Sequence, residues 1–366
     1  MVARVSPPKD TQRLNLRSYL VLFVCFLLLL PVAGEALVRN FPSLLPEAGQ
    51  IRMQAVMMKD EVMPDKEIGF VRRPGLRQRV DTMDFSYLRE TDSSGFPNRD
   101  PWPSRADLVV LGDSLVMGEG TGLDRSFVGR FQQANPKVKV INLGIAGAGP
   151  DRQLLAYRKY GAPLQPKAVL AFLFLAADIT NSEQFQRWRK QAPETDYNRF
   201  RLDLGRNKQP GTWLNRSRLV TVIKSKIAAG PVKAQAATSA DASTVFLDQA
   251  ALEYLNRGVN ESSEQMRLLM NPLAALRDAV EAHGAQFYAV LMPSKEEVFT
   301  RSYSVVNTVR SALDRAGIEY LDLYEVIAQK AAVRSPYFCR DIHLNEYGNQ
   351  MVADFLDNWW HSRIGD

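Results

Sequence analysis

The sequence is poor in the residues that bind metals and cross-link chains. It holds two cysteines, Cys25 and Cys339, and three histidines, His283, His343 and His361. Cys25 lies inside an apolar run and Cys339 near the C-terminus, so one thiol belongs in lipid and the other in a folded domain, and no disulfide between them is expected. No Cys/His spacing matches a zinc site, and neither a metal nor another cofactor is expected. No long basic block is present either: 46 Lys and Arg against 40 Asp and Glu leave a net charge of +6 spread along the chain. That reads as a solvated surface, and nucleic acid as a partner would need a concentrated basic face. No internal repeat is visible. The glycine-rich turn of Gly144, Gly147 and Gly149 lacks the G-x-G-x-x-G spacing, and no acid follows at the distance a dinucleotide site requires.

Charge is also missing from residues 18–34, SYLVLFVCFLLLLPVAG, while Arg4, Lys9, Arg13 and Arg17 precede them against the single acid Asp10. The run is at the short end for a membrane span and longer than a usual signal-peptide core. The basic flank should stay in the cytoplasm, which places the chain after Glu35 outside it. The expected layout is a cytoplasmic tail at 1–17 and a signal anchor at 18–38. A cleaved signal peptide is the alternative. It is disfavoured because Ala33-Gly34-Glu35-Ala36 puts an acid inside the small-residue cleavage pattern.

The remainder is long enough, and at 46% hydrophobic and 23% charged apolar enough, to bury one large core. Residues 39–105 carry many Pro and Arg with little periodicity, and read as an irregular lead-in packed on a main domain at 106–366. In that domain ADLVVLGDS, KVKVINLG, KAVLAFLFLAAD, GAQFYAVLMP and GIEYLDL read as buried strands. Stretches at 125–135, 151–161, 261–283, 302–316 and 345–360 read as helices. A polar insert at about 182–245 interrupts the alternation, and its Ala/Ser/Thr stretch at 228–244 reads as a mobile linker. Nearly continuous apolar strands alternating with helices imply an α/β fold. The expected form is a three-layer αβα, flavodoxin-like arrangement around a mainly parallel five-stranded sheet, with reactive residues at the C-terminal strand edge.

Two motifs fall at that edge. Gly112-Asp113-Ser114 directly follows a strand, so the turn can project the Ser114 hydroxyl; a following helix would aim its first amides at the same point. A serine hydroxyl needs a base beside it to act as a nucleophile, and a turn with a capping Ser or Asp is the plainer reading. Asp341-Ile342-His343 precedes the last helix. His283 sits near a helix end and His361 on the tail, so His343 is the candidate base. Asp341 can reach its imidazole, though a histidine that merely packs against the last helix fits equally.

Together the motifs resemble the SGNH/GDSL hydrolase family over about residues 65–366. The likeness rests on the string Gly112-Asp113-Ser114-Leu115, the block Asn142-Leu143-Gly144-Ile145-Ala146-Gly147, and Asp341-x-His343. The stretch from Gly69-Phe70 to Ser94-Gly95-Phe96 is similar to membrane-anchored bacterial members. Met292-Pro293-Ser294-Lys295-Glu296 is similar to members linked to extracellular polysaccharide. The resemblance implies the SGNH fold, a Ser114–His343–Asp341 triad, and an oxyanion hole from the backbone N–H groups of Ser114 and Gly147. It departs at Leu175-Ala176-Ala177-Asp178, where Ala177 stands in place of the usual Asn donor; Asn181 and Asp178 are left as candidate substrate contacts. Arg340 occupies the alternative position for the acid.

Two functions follow as expectations. One is an esterase or O-acyltransferase outside the cytoplasm, bound to the bacterial inner membrane by its N-terminal helix, acting on an acylated small molecule or cell-surface polysaccharide. The other is a non-catalytic component of envelope polysaccharide machinery, a reading that the Ala177 departure favours. Arg187, Arg189, Arg199, Arg201 and Arg206 in the insert could meet an acidic polymer, or simply face solvent.

Overall fold

The computed structural model describes residues 16–41, 62–207, 219–220, 237–238, 244–260 and 262–365. The chain forms two compact units, Met1–Gln50 with Pro210–Gly230, and Ile51–Gln209 with Pro231–Asp366. The first contains helix α1, Leu16–Asn40. Its 21 residues Ser18–Val38 are long and apolar enough to cross a membrane, and only 6% of the most apolar stretch is buried by protein. At 1.5 Å rise per residue such a helix spans about 30 Å, the thickness of a hydrocarbon core.

The second unit opens with order where irregular chain was expected. Strands β1 (Val62–Asp65) and β2 (Gly69–Arg72) form one antiparallel hairpin, and β3 (Arg77–Asp81) and β4 (Ser86–Glu90) form another. Their periodicity is hidden in sequence because Arg72 and Arg89 point inward to a buried carboxylate, so polar letters stand at interior positions. Ile68, Phe70, Val71 and Phe96 join the main core.

The main sheet follows: β5 (Leu108–Gly112), α2 (Phe127–Ala134), β6 (Val140–Gly144), α3 (Pro150–Ala156), β7 (Ala168–Leu173), α4 (Leu175–Gln191) and α5 (Tyr197–Asn207). The small ladder β8 (Ala237–Thr238) and β9 (Thr244–Val245) precedes α6 (Gln249–Arg257), α7 (Glu264–Glu281), β10 (Gln286–Leu291), α8 (Lys295–Thr300), α9 (Ser304–Ala316), β11 (Tyr320–Asp322), α10 (Tyr324–Ala331) and α11 (Glu346–Arg363). The five strands lie in the order β11-β10-β7-β5-β6, and every neighbouring pair is parallel. Alternation sends Val109, Leu111, Ala171 and Leu173 to one face under α3, α4, α7 and α9. It sends Leu108, Val110, Leu170 and Phe172 to the other, under α2, α10 and α11. Burial on both faces is why these strands read as unbroken apolar runs.

Several elements differ from expectation. The third strand ends at Leu173, not Asp178, because the Asp178 carboxylate takes the Phe174 N–H at 2.8 Å and α4 starts there. The first part of the polar insert is helical, formed by the C-terminal part of α4 and by α5. Most of the 228–244 stretch lies outside the described residues. Helices α6, α8 and α10 were not foreseen; each is under ten residues, too short for a clear 3.6-residue period.

Leu170 is completely buried in β7, the middle strand. In urea unfolding of the detergent-solubilised full chain, Leu170→Ala should cost ~2–5 kcal/mol, whereas Leu88→Ala, at a surface position 37% exposed, should cost under about 1 kcal/mol. Equal effects would contradict this core.

Candidate active site

The register that sets Gly112 opposite Gly144 brings the C-terminal ends of β5 and β6 side by side. Ser114 lies just beyond β5 and remains partly exposed. The turn is tied down from several sides. Asp113 accepts from Leu115 N–H at 2.9 Å, Ser114 O accepts from Glu119 N–H at 3.1 Å, and Asn142 Nδ2 donates to Val116 O at 2.7 Å. No helix follows directly. The segment after Ser114 is a series of turns and α2 begins only at Phe127, so the expected helix start at the hydroxyl is not formed by the residues that follow it.

His343 arrives from the opposite end of the chain. Its loop is closed at the base by the Tyr337–Leu344 bridge and by Asn345, whose side chain caps α11 and donates to Ser335 O and Tyr337 O. His343 Nε2 lies 2.7 Å from Ser114 Oγ, and Nδ1 lies 2.5 Å from Asp341 Oδ1. A carboxylate that accepts from Nδ1–H leaves neutral Nε2 free to accept from the serine hydroxyl. Burial works to lower the His343 pKa. The charge and hydrogen bond of Asp341, with Glu119 and Asp113 farther away, outweigh it, and the pKa is raised. For Asp341, burial works upward, but His343 and Lys295 hold its pKa below the ordinary value.

The loop bearing Asp341 is gripped by two buried charges that the sequence did not reveal. Asp84, in the β3–β4 turn, accepts from the N–H groups of Arg340 (2.6 Å) and Asp341 (2.7 Å). Lys295, 1% exposed, donates to the carbonyls of the same two residues at 2.8 and 3.0 Å. Arg340, at the alternative acid position, reaches Asp84 and lies over Phe246, away from the imidazole. Beneath the nucleophile turn, Glu119 accepts from Arg72 at 2.7 Å, from Tyr87 at 2.6 Å and from Arg89. These partners sit 30 to 47 residues away in sequence, which is why no local motif announces them.

Gly147 sits at φ +62°, in the left-handed region suited to glycine. Arg152, with no exposed surface, donates through Nη1 to Ala146 O and Gly147 O, both at 3.1 Å, and through Nε and Nη2 to Ile68 O and Phe70 O. Because a trans peptide is planar, holding Ala146 O toward Arg152 turns the Gly147 N–H the other way. Among the described residues, neither that N–H nor the Ser114 N–H has an acceptor. Burial lowers the Arg152 pKa to about 10, so it stays charged at neutral pH.

The two remaining candidates are not brought into this arrangement. Asp178 has no exposed surface and is engaged with Phe174 N–H; burial and the charge of Asp113 hold its pKa well above the usual carboxylate range. Its expected role as a substrate contact is therefore replaced by one at the start of α4. Asn181 is 8% exposed, and its amide makes no hydrogen bond among the described residues. No group of metal ligands occurs among the described residues.

No family model matches the chain, and no curated relative does. Among solved structures it is similar to a lipolytic protein of the G-D-S-L family from Veillonella parvula (11% identity, TM-score 0.38, covering 70% of this chain and 98% of that one). It is also similar to a lipase/acylhydrolase from Enterococcus faecalis (14%, 0.37, 70% and 96%). A third is a psychrotrophic esterase from Pseudoalteromonas (11%, 0.35, 70% and 98%). These likenesses are too low to bear on chemistry, which rests on the geometry above.

With only three histidines, the raised pKa is directly measurable. In NMR of histidine-labelled protein, His343 should titrate above the ordinary ~6.5, and Asp341→Asn should move that midpoint down. A midpoint unchanged by Asp341→Asn would refute the pairing.

Proposed function

We propose that the chain is a membrane-anchored serine hydrolase or acyltransferase that acts on ester-linked acyl groups. One observation carries the reading: Ser114 Oγ, His343 Nε2, His343 Nδ1 and Asp341 Oδ1 are joined by contacts of 2.7 and 2.5 Å at the carboxyl edge of a parallel sheet, with Ser114 accessible. Hydroxyl, imidazole and carboxylate in series are what activation of a serine requires.

In this reading Ser114 Oγ bonds to the acyl carbon as its proton passes to His343 Nε2, and the carbonyl electron pair moves to oxygen. The Ser114 and Gly147 N–H groups receive that oxyanion. On collapse the ester C–O bond breaks, and His343 gives its proton to the departing alcohol. Asp341 holds the imidazole in the required tautomer throughout. Water then releases the acyl group from Ser114, or a sugar hydroxyl accepts it. Helix α1 supports retention at a membrane. With the basic N-terminal flank it supports a site on the periplasmic face of a bacterial inner membrane. An acylated cell-surface polysaccharide as substrate, within envelope polysaccharide machinery, rests on the sequence resemblance.

The second reading, a binding component without catalysis, is favoured by Ala177, which offers no side-chain donor.

Turnover of p-nitrophenyl acetate by the detergent-solubilised full chain separates them. Ser114→Ala and His343→Ala should each lower kcat/KM by on the order of 10⁴-fold or more. Wild-type turnover no greater than that of Ser114→Ala would remove the enzymatic reading.

A further inference from the structure

We propose that Arg201 supplies the oxyanion contact that Ala177 cannot, so that a helix of the insert completes the site. The proposal rests on the acyl-transfer reading and names one more group that touches the reacting atoms.

Arg201 lies on α5, and its guanidinium packs directly against Gly147: a Cβ built on Gly147 would stand 2.8 Å from both Nη1 and Nη2. The Cβ direction and the N–H branch from neighbouring bonds of one residue. At this φ an oxygen accepting from that N–H would stand about 5 Å from the same Cβ position, so the guanidinium borders the oxygen's place and a small shift of its long side chain reaches it.

The side chain is held there. Tyr197, one helical turn earlier and fully buried, stacks on Phe70 and packs edge-on to Phe185, fixing α5 against β2 and α4. The Arg201 guanidinium carbon lies 5.9 Å from the Phe70 ring centre and 5.8 Å from that of Tyr197, within cation–π range. Among the described residues no carboxylate pairs with it. Arg152, the other cation nearby, already spends its donors on four carbonyl oxygens. Among the described residues Arg201 is thus the cation beside Gly147 whose N–H donors remain for an incoming oxygen. When the carbonyl pair moves to oxygen, the negative oxygen receives the N–H groups of Ser114, Gly147 and Arg201; the proton still goes to His343, and no further reactant is needed.

The test compares Arg201→Ala, Arg201→Gln and Arg201→Lys with wild type on p-nitrophenyl acetate, a neutral ester. Ser114→Ala is run in parallel and folding is checked by thermal melting. An oxyanion donor acts on kcat, so Arg201→Ala and Arg201→Gln should lose about 10²–10³-fold in kcat with little change in KM. Arg201→Lys, which keeps the charge and the stem, should recover part of the loss. A kcat within about 3-fold of wild type in all three variants overturns the proposal. So does an effect confined to KM for negatively charged esters, which would make Arg201 a substrate anchor. If wild type shows no Ser114-dependent turnover, the acyl-transfer reading itself falls. If wild type turns over and the Arg201 variants match it, only the assignment of Arg201 falls.

Discussion

A serine hydroxyl bonded to an imidazole is chemically useful only when the imidazole is fixed with the correct nitrogen facing the hydroxyl, and here that condition is met by a single short contact between His343 and Asp341. The contact sets the tautomer, raises the imidazole pKa against the pull of burial, and keeps the carboxylate ionised in a site where burial alone would neutralise it. Each partner stabilises the charged form of the other, so removing either leaves a buried polar group without its complement. The remaining architecture serves to bring this pair to a hydroxyl 229 residues away in sequence.

Two loops must be held for that, and the hairpins before the main sheet hold both. Asp84 of the second hairpin grips the Asp341 loop from its N–H side, opposite Lys295, while Tyr87 and Arg89 join Arg72 in anchoring Glu119 under the nucleophile turn. The first hairpin offers the carbonyls of Ile68 and Phe70 to Arg152, whose remaining donors orient the Gly147 loop. The segment that seemed a lead-in is a brace. Its buried arginines, Arg72 and Arg89, pair with the Glu119 carboxylate at close range, and pairing is the condition under which buried charge is tolerated.

Much of this was legible in the chain. Strands buried on both faces give uninterrupted apolar runs, so β5, β6, β7 and β10 stood out; the Gly-Asp-Ser motif fell at a strand end, where parallel sheets place reactive groups, and Asp-x-His just before the last helix. The bracing was not legible. Arg72, Arg89 and Lys295 are letters expected on a surface, and their inward orientation follows only from partners distant in sequence. Asp178 is a further case: it stands fully buried, with one carboxylate oxygen accepting from a main-chain N–H one turn away and the other without a hydrogen bond, a placement that its neighbours in sequence do not announce. Arg201 stood in a list of insert arginines, and only the packing of Tyr197 on Phe70 separates it from the rest.

The central claim is that Ser114 is a nucleophile because His343 takes its proton. Mass spectrometry of the full chain after treatment with a fluorophosphonate tests it most directly. The account predicts a single adduct on the peptide containing Ser114, with labelling lost in His343→Ala. Labelling that persists at the wild-type rate without the imidazole, or an adduct on any other serine, would contradict it.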